Sequence, residues 1–373
     1  MPNLDKLAEE YIKKQGDLHL LRSLKTTQRQ QGAYVIRGGK KYISFSCNDY
    51  LGLSHHKDVI GAAMASLKEN GSGSGASRLV TGNTPLYEKL ESKLAEIKNT
   101  GKALIFGSGY LANIGTIPAL VGRGDLIVAD KLVHSCLIDG SQLSGARLVR
   151  FEHNNVQKCE AALKKHRKEY GNCLIITDHV FSMDGDIAPV DDLFKLAKKY
   201  DGWLMTDDAH GLGVISEKHK SVPHIQMGTL SKAIGAYGGY VCASAVVINM
   251  LINKSRSLVY STALPPSVLA SALAALEIIE HDKDLCSKPL EYARYFTSLM
   301  GLSDAISPIV PVIIGDAKKA LEISDKLEKE GFLVSAIRPP TVPKGTARLR
   351  FTFSAAHNRE DIENVAVVLK GLL

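Results

Sequence analysis

The chain has 373 residues, a formal net charge of +7 and a sequence pI of about 8.9. Hydrophobic residues make up 45% and charged residues 23%, the balance of a globular protein and not of a disordered or fibrous one. The length exceeds what one simple core holds, so a large domain with a smaller companion is expected.

The basic residues are scattered. Their densest run, Lys164-Lys165-His166-Arg167-Lys168, reads as a solvated helix face. With no zinc pattern and no aromatic RNP-like motif, nucleic acid is not an expected partner. No apolar run approaches the ~20 residues of a membrane-spanning helix. The six cysteines (Cys47, Cys136, Cys159, Cys173, Cys242, Cys286) are spread out with no C-x-x-C. That usage, with no apolar signal core at the N-terminus, fits reduced thiols in a cytoplasm.

In chain order, Leu4, Leu7, Ala8, Tyr11 and Ile12 recur at helical spacing and lead into a polar arm through residue 31. Segments 34–36 and 42–45 flank Gly38-Gly39 as a hairpin. Ser46-Cys-Asn-Asp-Tyr-Leu-Gly-Leu53 comes next, a dense polar and aromatic turn that propensity does not explain. Gly71-Ser-Gly-Ser-Gly-Ala-Ser-Arg78 reads as a loop. Thr84-Pro85 then opens a helix, threonine as cap and proline in the first turn.

From there apolar strands alternate with helices. Strands are expected at 103–106, 126–129, 148–151, 174–177, 203–206 and 240–243. They are continuous apolar runs, as in a mostly parallel sheet buried on both faces. The loops after these strands carry the chemistry, because ligands of open α/β sheets sit beyond the carboxyl ends of the strands. Gly107-Ser-Gly-Tyr110 lies after the first, and its amides at a helix N-terminus suit a phosphate. The same residues, with Asp130 at the next strand end, also read as a dinucleotide fingerprint, which keeps an NAD-linked oxidoreductase open. His134 lies after the second strand and can stack a flat imidazole on a ring. Asp178 and Ser182 lie after the fourth, Asp207 and His210 after the fifth. A metal site is disfavoured, because the histidines lack close ligand spacing.

Gly228-Thr-Leu-Ser-Lys-Ala-Ile-Gly-Ala-Tyr-Gly-Gly239 sets Lys232 between hydroxyls and glycines. Thr229 and Ser231 can hold a phosphate while the lysine forms a Schiff base with an aldehyde, as pyridoxal 5'-phosphate (PLP) requires. Asp207 can pair with the pyridine nitrogen, and Ser182 and His210 with the phenolic oxygen. A last segment holds strands at 309–314, 332–336 and 347–353, with helices capped by Asp316 and Asn358. The expected organisation is an N-terminal helix and arm (1–45), a large cofactor-binding α/β domain (46–264), and a linking helix with a small α+β domain (265–373).

Asn48-Asp-Tyr-Leu-Gly, Asp207-x-Ala-His210-Gly and Gly228-Thr-Leu-Ser-Lys232 together resemble the α-oxoamine synthases, PLP enzymes of fold type I. The resemblance covers nearly the whole chain. The stretches 180–189, 260–266 and 336–350 resemble the branch that condenses L-alanine with a pimeloyl thioester for biotin. A sister enzyme using glycine and another acyl-CoA is the alternative. The resemblance implies Lys232 as the Schiff-base lysine, Asp207 at the pyridine nitrogen and His134 stacked on the ring. It also implies Ser182 and His210 near the phenolic oxygen, and the amides of Gly109 and Tyr110 with Thr229 at the phosphate. Thr262 would reach the phosphate of a neighbouring subunit, so a homodimer is implied. Arg22, Arg338 and Thr341 would contact substrate. The donor is pimeloyl-CoA or a pimeloyl acyl carrier protein, and the positive net charge is compatible with an acidic carrier. Two departures stand out: Ser135-Cys136 after His134, and Ser231 before the lysine.

Overall fold

A computed structural model describes residues 3–18, 20–215 and 219–373. It resolves into two compact units. One holds residues 49–182 and 186–289; the other holds 1–48, 183–185 and 290–373. This differs from the expected boundaries in two ways. The helix Pro266–His281 packs with Lys57–Asn70 inside the large unit, and the N-terminal segment clusters with the C-terminal one.

The large unit is built on seven strands: β1 (Lys102–Phe106), β2 (Leu126–Asp130), β3 (Arg147–Phe151), β4 (Cys173–Asp178), β5 (Trp203–Asp207), β6 (Ile225–Thr229) and β7 (Gly239–Ala243). Their order is β1-β7-β6-β5-β4-β2-β3. All run parallel except β7, which pairs antiparallel with β1 and β6. Every residue of β2, β4, β6 and β7 is buried, so the sheet is covered on both faces.

Among the large unit's described strands, β6 is not expected from the sequence. Ile225-Gln-Met-Gly-Thr229 is too polar to read as an apolar run, yet it is a central strand. Gly228 explains part of this: a Cβ there would stand 2.2 Å from the Tyr240 hydroxyl on the neighbouring strand. The polarity of β6 serves its far end, where Thr229 leads to Lys232.

The smaller unit has a four-stranded and a three-stranded sheet. The hairpin Tyr34–Arg37 and Lys40–Ser44 turns at Gly38 and Gly39, both at positive φ, as a two-residue turn of this hand requires. The single strand expected at 332–336 is split. Phe332–Leu333 pairs with Lys40–Ser44, whereas Ser335–Ile337 pairs with Ala347–Thr352. Phe45, Phe296, Phe351 and Phe353 lie fully buried in this unit's core. Asp316 and Asn358 cap their helices as expected, each side chain accepting from an amide three residues on. Thr84 stands at its N-cap position, but its hydroxyl makes no capping bond.

Candidate active site

The six parallel strands of the large unit present their carboxyl ends along one edge. The loops beyond that edge line a cavity of about 200 Å3 that opens to solvent. β1 leads to Gly109 and Tyr110, and β2 to His134 and Cys136. β4 gives Asp178, Val180 and Ser182, and β5 gives Asp207, Ala209 and His210. β6 gives Met227, Thr229 and Lys232. Nine residues singled out in the sequence therefore meet: Gly109, Tyr110, His134, Asp178, Ser182, Asp207, His210, Thr229 and Lys232.

At the centre, Lys232 Nζ lies 2.6 Å from His210 Nε2, and His210 Nδ1 lies 2.7 Å from the Tyr50 hydroxyl. The two ring nitrogens of His210 thus face different partners, Nε2 the Lys232 amine and Nδ1 the Tyr50 hydroxyl. Tyr50 is fully buried, and it accounts for the unexplained turn at 46–53.

Asp207 ends β5. Its Oδ1 accepts from the Ala209 amide at 2.9 Å and its Oδ2 from Asn113 Nδ2 at 2.9 Å. On the neighbouring strand Asp178 is its register partner. Burial, and then the charge of Asp207, push the Asp178 pKa well up. His134 caps the helix Ser135–Ser144, its Nδ1 accepting from the Cys136 amide, while its own amide donates to Asp178 at 3.2 Å. Burial lowers its pKa, so the ring is neutral. Burial also pushes the Cys136 thiol up, leaving it protonated against His134 Nδ1 at 2.8 Å.

The phosphate end is a helix terminus. Ser108 caps Gly109–Leu120 and its hydroxyl takes the Leu111 amide, so the amides of Gly109 and Tyr110 have no acceptor within the helix. A Cβ on Gly109 would stand 3.0 Å from Met227 Cε and 3.6 Å from Thr229 Cβ, crowding the space in front of those amides.

Other expected residues stand elsewhere. Thr262 is exposed, forms a bridge with Ser77 and is absent from the cavity lining. Arg22, exposed, and Arg338 and Thr341, whose amide donates to the Arg338 carbonyl at 3.1 Å, belong to the smaller unit. Asp130 is not available to a dinucleotide ribose. It is fully buried, and its oxygens are taken by the amides of Leu132 and Asn154 and by His153.

The aminotransferase class I and II family model matches residues 40–369. An 8-amino-7-oxononanoate synthase of Methylocella silvestris is 54% identical over 347 residues, 91% of this chain and 99% of its own. One of Methylobacterium nodulans is 52% identical over 371 residues, 100% of this chain and 97% of its own. The chain belongs to the 8-amino-7-oxononanoate synthases of this family. A structure of SPT with PLP as its internal aldimine matches with a TM-score of 0.92 at 27% identity, over 100% of this chain and 98% of that one. The synthase is thus a PLP enzyme of fold type I. Its cavity fits that cofactor: a helix terminus for a phosphate, a neutral flat imidazole, a carboxylate for a pyridine nitrogen and an amine for an aldehyde converge on one cavity.

Proposed function

We propose that this enzyme joins the Cα of L-alanine to the acyl carbon of a pimeloyl thioester in biotin formation. The alanine carboxylate leaves as carbon dioxide and the thiol is released. The observation that carries this reading is the convergence of Lys232, His210, Asp207 and His134 on the cavity in front of Gly109. Bound PLP supplies an electron sink for the pair left on Cα when a bond there breaks.

The remaining work falls to the chain's own groups. The Gly109 and Tyr110 amides and the Thr229 hydroxyl hold the phosphate. Asp207 keeps the ring nitrogen protonated. His134, neutral through burial, covers a ring face without adding charge. Ser182 and His210 hold the phenolic oxygen. Lys232 takes the Cα proton at Nζ, and His210, 2.6 Å away, steadies that amine. Arg338 offers a two-pronged guanidinium to a carboxylate, with Thr341 and Arg22 as further substrate contacts.

A homodimer is the proposed assembly. Supporting it, Thr262 is exposed in the single chain, and Leu79, Val80, Val246 and Tyr260 are large apolar side chains left on the surface. The donor is a pimeloyl thioester of CoA or of an acyl carrier protein, both of them anionic and both compatible with the net charge of +7. No described helix is long and apolar enough to cross a membrane, and the six cysteines form no disulfide; both support a cytoplasmic site.

The test is product formation. PLP-loaded enzyme given L-alanine and pimeloyl-CoA should yield 8-amino-7-oxononanoate by mass spectrometry, and borohydride reduction should fix PLP to Lys232. Lys232→Ala should retain PLP non-covalently and lose turnover. Product from glycine but not from alanine would overturn the substrate assignment.

A further inference from the structure

Asn113 does not line the cavity and makes no contact with the cofactor or substrate in the proposed chemistry. It sits one turn into the helix Gly109–Leu120 and is fully buried. Its Nδ2 donates to Asp207 Oδ2 at 2.9 Å and to Cys136 Sγ at 3.0 Å. Its Oδ1, also buried, has no partner among the described residues. That asymmetry fixes the amide: rotated by half a turn, it would set its oxygen against a carboxylate. An orphaned buried carbonyl is costly, so an opposing gain must hold the amide in this pose.

We propose that Asn113 is the positioning residue for Asp207. It aims the carboxylate at the ring nitrogen of PLP and stabilises its ionised form, and through Cys136 it ties that carboxylate to the loop bearing His134. The inference rests on the PLP reading of the cavity. Asp207 takes one N–H on each oxygen, from Ala209 and from Asn113, which fixes the plane of its carboxyl group. The Ala209 donor is local to the turn. The Asn113 donor comes from the helix whose first amides face the phosphate site, so one rigid element sets both ends of the cofactor. Gly140 lets this happen, because a Cβ there would stand 2.9 Å from the Asn113 carbonyl oxygen, and its absence allows the helix Ser135–Ser144 to pack close.

The test uses PLP-loaded enzyme with Asn113→Leu, which removes the donor at similar size, and Asn113→Asp, which keeps the shape and adds a like charge. The readouts are PLP affinity, Cα–H exchange of L-alanine in D2O by NMR without thioester, and the pH profile of that exchange. Asn113→Leu should slow exchange by about 10- to 100-fold, the scale of one hydrogen bond to a charged group, with alanine KM nearly unchanged. Asn113→Asp should be slower still at pH 8 and recover as the pH falls toward 5.5, where its carboxyl is protonated and donates again. The parent should show no such recovery. If both variants exchange at the parent's rate with the parent's pH profile, the proposal is overturned. Should Asn113→Leu not fold, Asn113→Asp decides alone. An Asn113→Asp protein that fails to fold even at pH 5.5 also counts against it, because that points to a structural role. A parent that neither holds PLP nor exchanges alanine would instead sink the reading of the cavity itself.

Discussion

Two carboxyl groups end neighbouring strands in this cavity, and they are not equivalent. Asp207 receives two N–H donors, which fix the plane of its carboxyl group, whereas burial beside that carboxylate pushes the Asp178 pKa well up. Opposite outcomes are therefore expected from the same substitution. Asp207→Asn should lower alanine Cα–H exchange on the order of 100-fold or more, the scale for losing a key electrostatic partner. Asp178→Asn keeps an acceptor for the His134 amide and leaves the Asp207 donors in place, so exchange should change less than about threefold. An NMR exchange assay on both variants checks the pair, and equal losses would contradict the assignment.

At the level of elements, the strand ends are held by a second polar cluster behind the cavity. The helix Pro85–Ile97 ends at Lys98, whose ammonium donates to Asp208 Oδ2. Asp208 Oδ1 is 2.6 Å from His179 Nδ1. Burial would raise the Asp208 pKa, but the charges of Lys98 and His179 outweigh it and hold the carboxyl well below its usual range. Asp208 adjoins Asp207 and His179 adjoins Asp178, so the cluster ties β4, β5 and a helix end together just behind the working residues. Lys98→Met should cost about 3–5 kcal/mol, because it strands a buried anion. The double variant Lys98→Met with Asp208→Leu should be less damaging than the lysine change alone. Chemical denaturation of the three proteins measures this, and an additive double variant would show that the pair is not coupled.

At the scale of the whole molecule, each unit carries a histidine displaced in the opposite sense. In the smaller unit His357 is buried, takes the Ser354 amide on Nδ1 and donates from Nε2 to the Ser44 carbonyl. Burial lowers its pKa to about 4. Its unfolded form binds the proton more readily, so its contribution is present above pH 6.5 and is lost as pH falls through about 4, on the order of 3 kcal/mol. In the large unit His153 bridges Asp130 and Asp186 at 3.0 and 2.7 Å. Burial opposes its charge, but the hydrogen bonds to the two aspartates prevail and raise its pKa to about 10. That contribution is full below pH 6.5 and is lost as pH rises through about 10. Acid should therefore weaken the smaller unit first and alkali the large one. Hydrogen exchange across pH, read by unit, checks this, and His153→Gln should flatten the alkaline loss. Light scattering should also give close to twice the 40.4 kDa chain mass. A monomer that turns over would remove Thr262 from the site.

Most of the parallel sheet was legible because strands buried on both faces are written as apolar runs, and β2, β4 and β7 obey this fully. That Lys232, Asp207, His134 and His210 meet at one cavity was legible because strand-end loops of such a sheet converge on one edge. β6 was not, since its glycine and glutamine answer to neighbours on other elements: Gly228 to Tyr240, and Gln226 to the Lys98 carbonyl. Asn113 and Tyr50 were hidden for the same reason. A polar residue inside an apolar helix, or an aromatic in a polar turn, signals only that something holds it, and the holder lies 94 or 160 residues away in the chain. The sequence by itself determined the fold class and the cofactor, because strand pattern and motif spacing are local. The tertiary structure alone decided which carboxyl burial displaces, which groups His210 meets and which donors hold Asp207, because burial and hydrogen-bond partners arise only when distant segments meet.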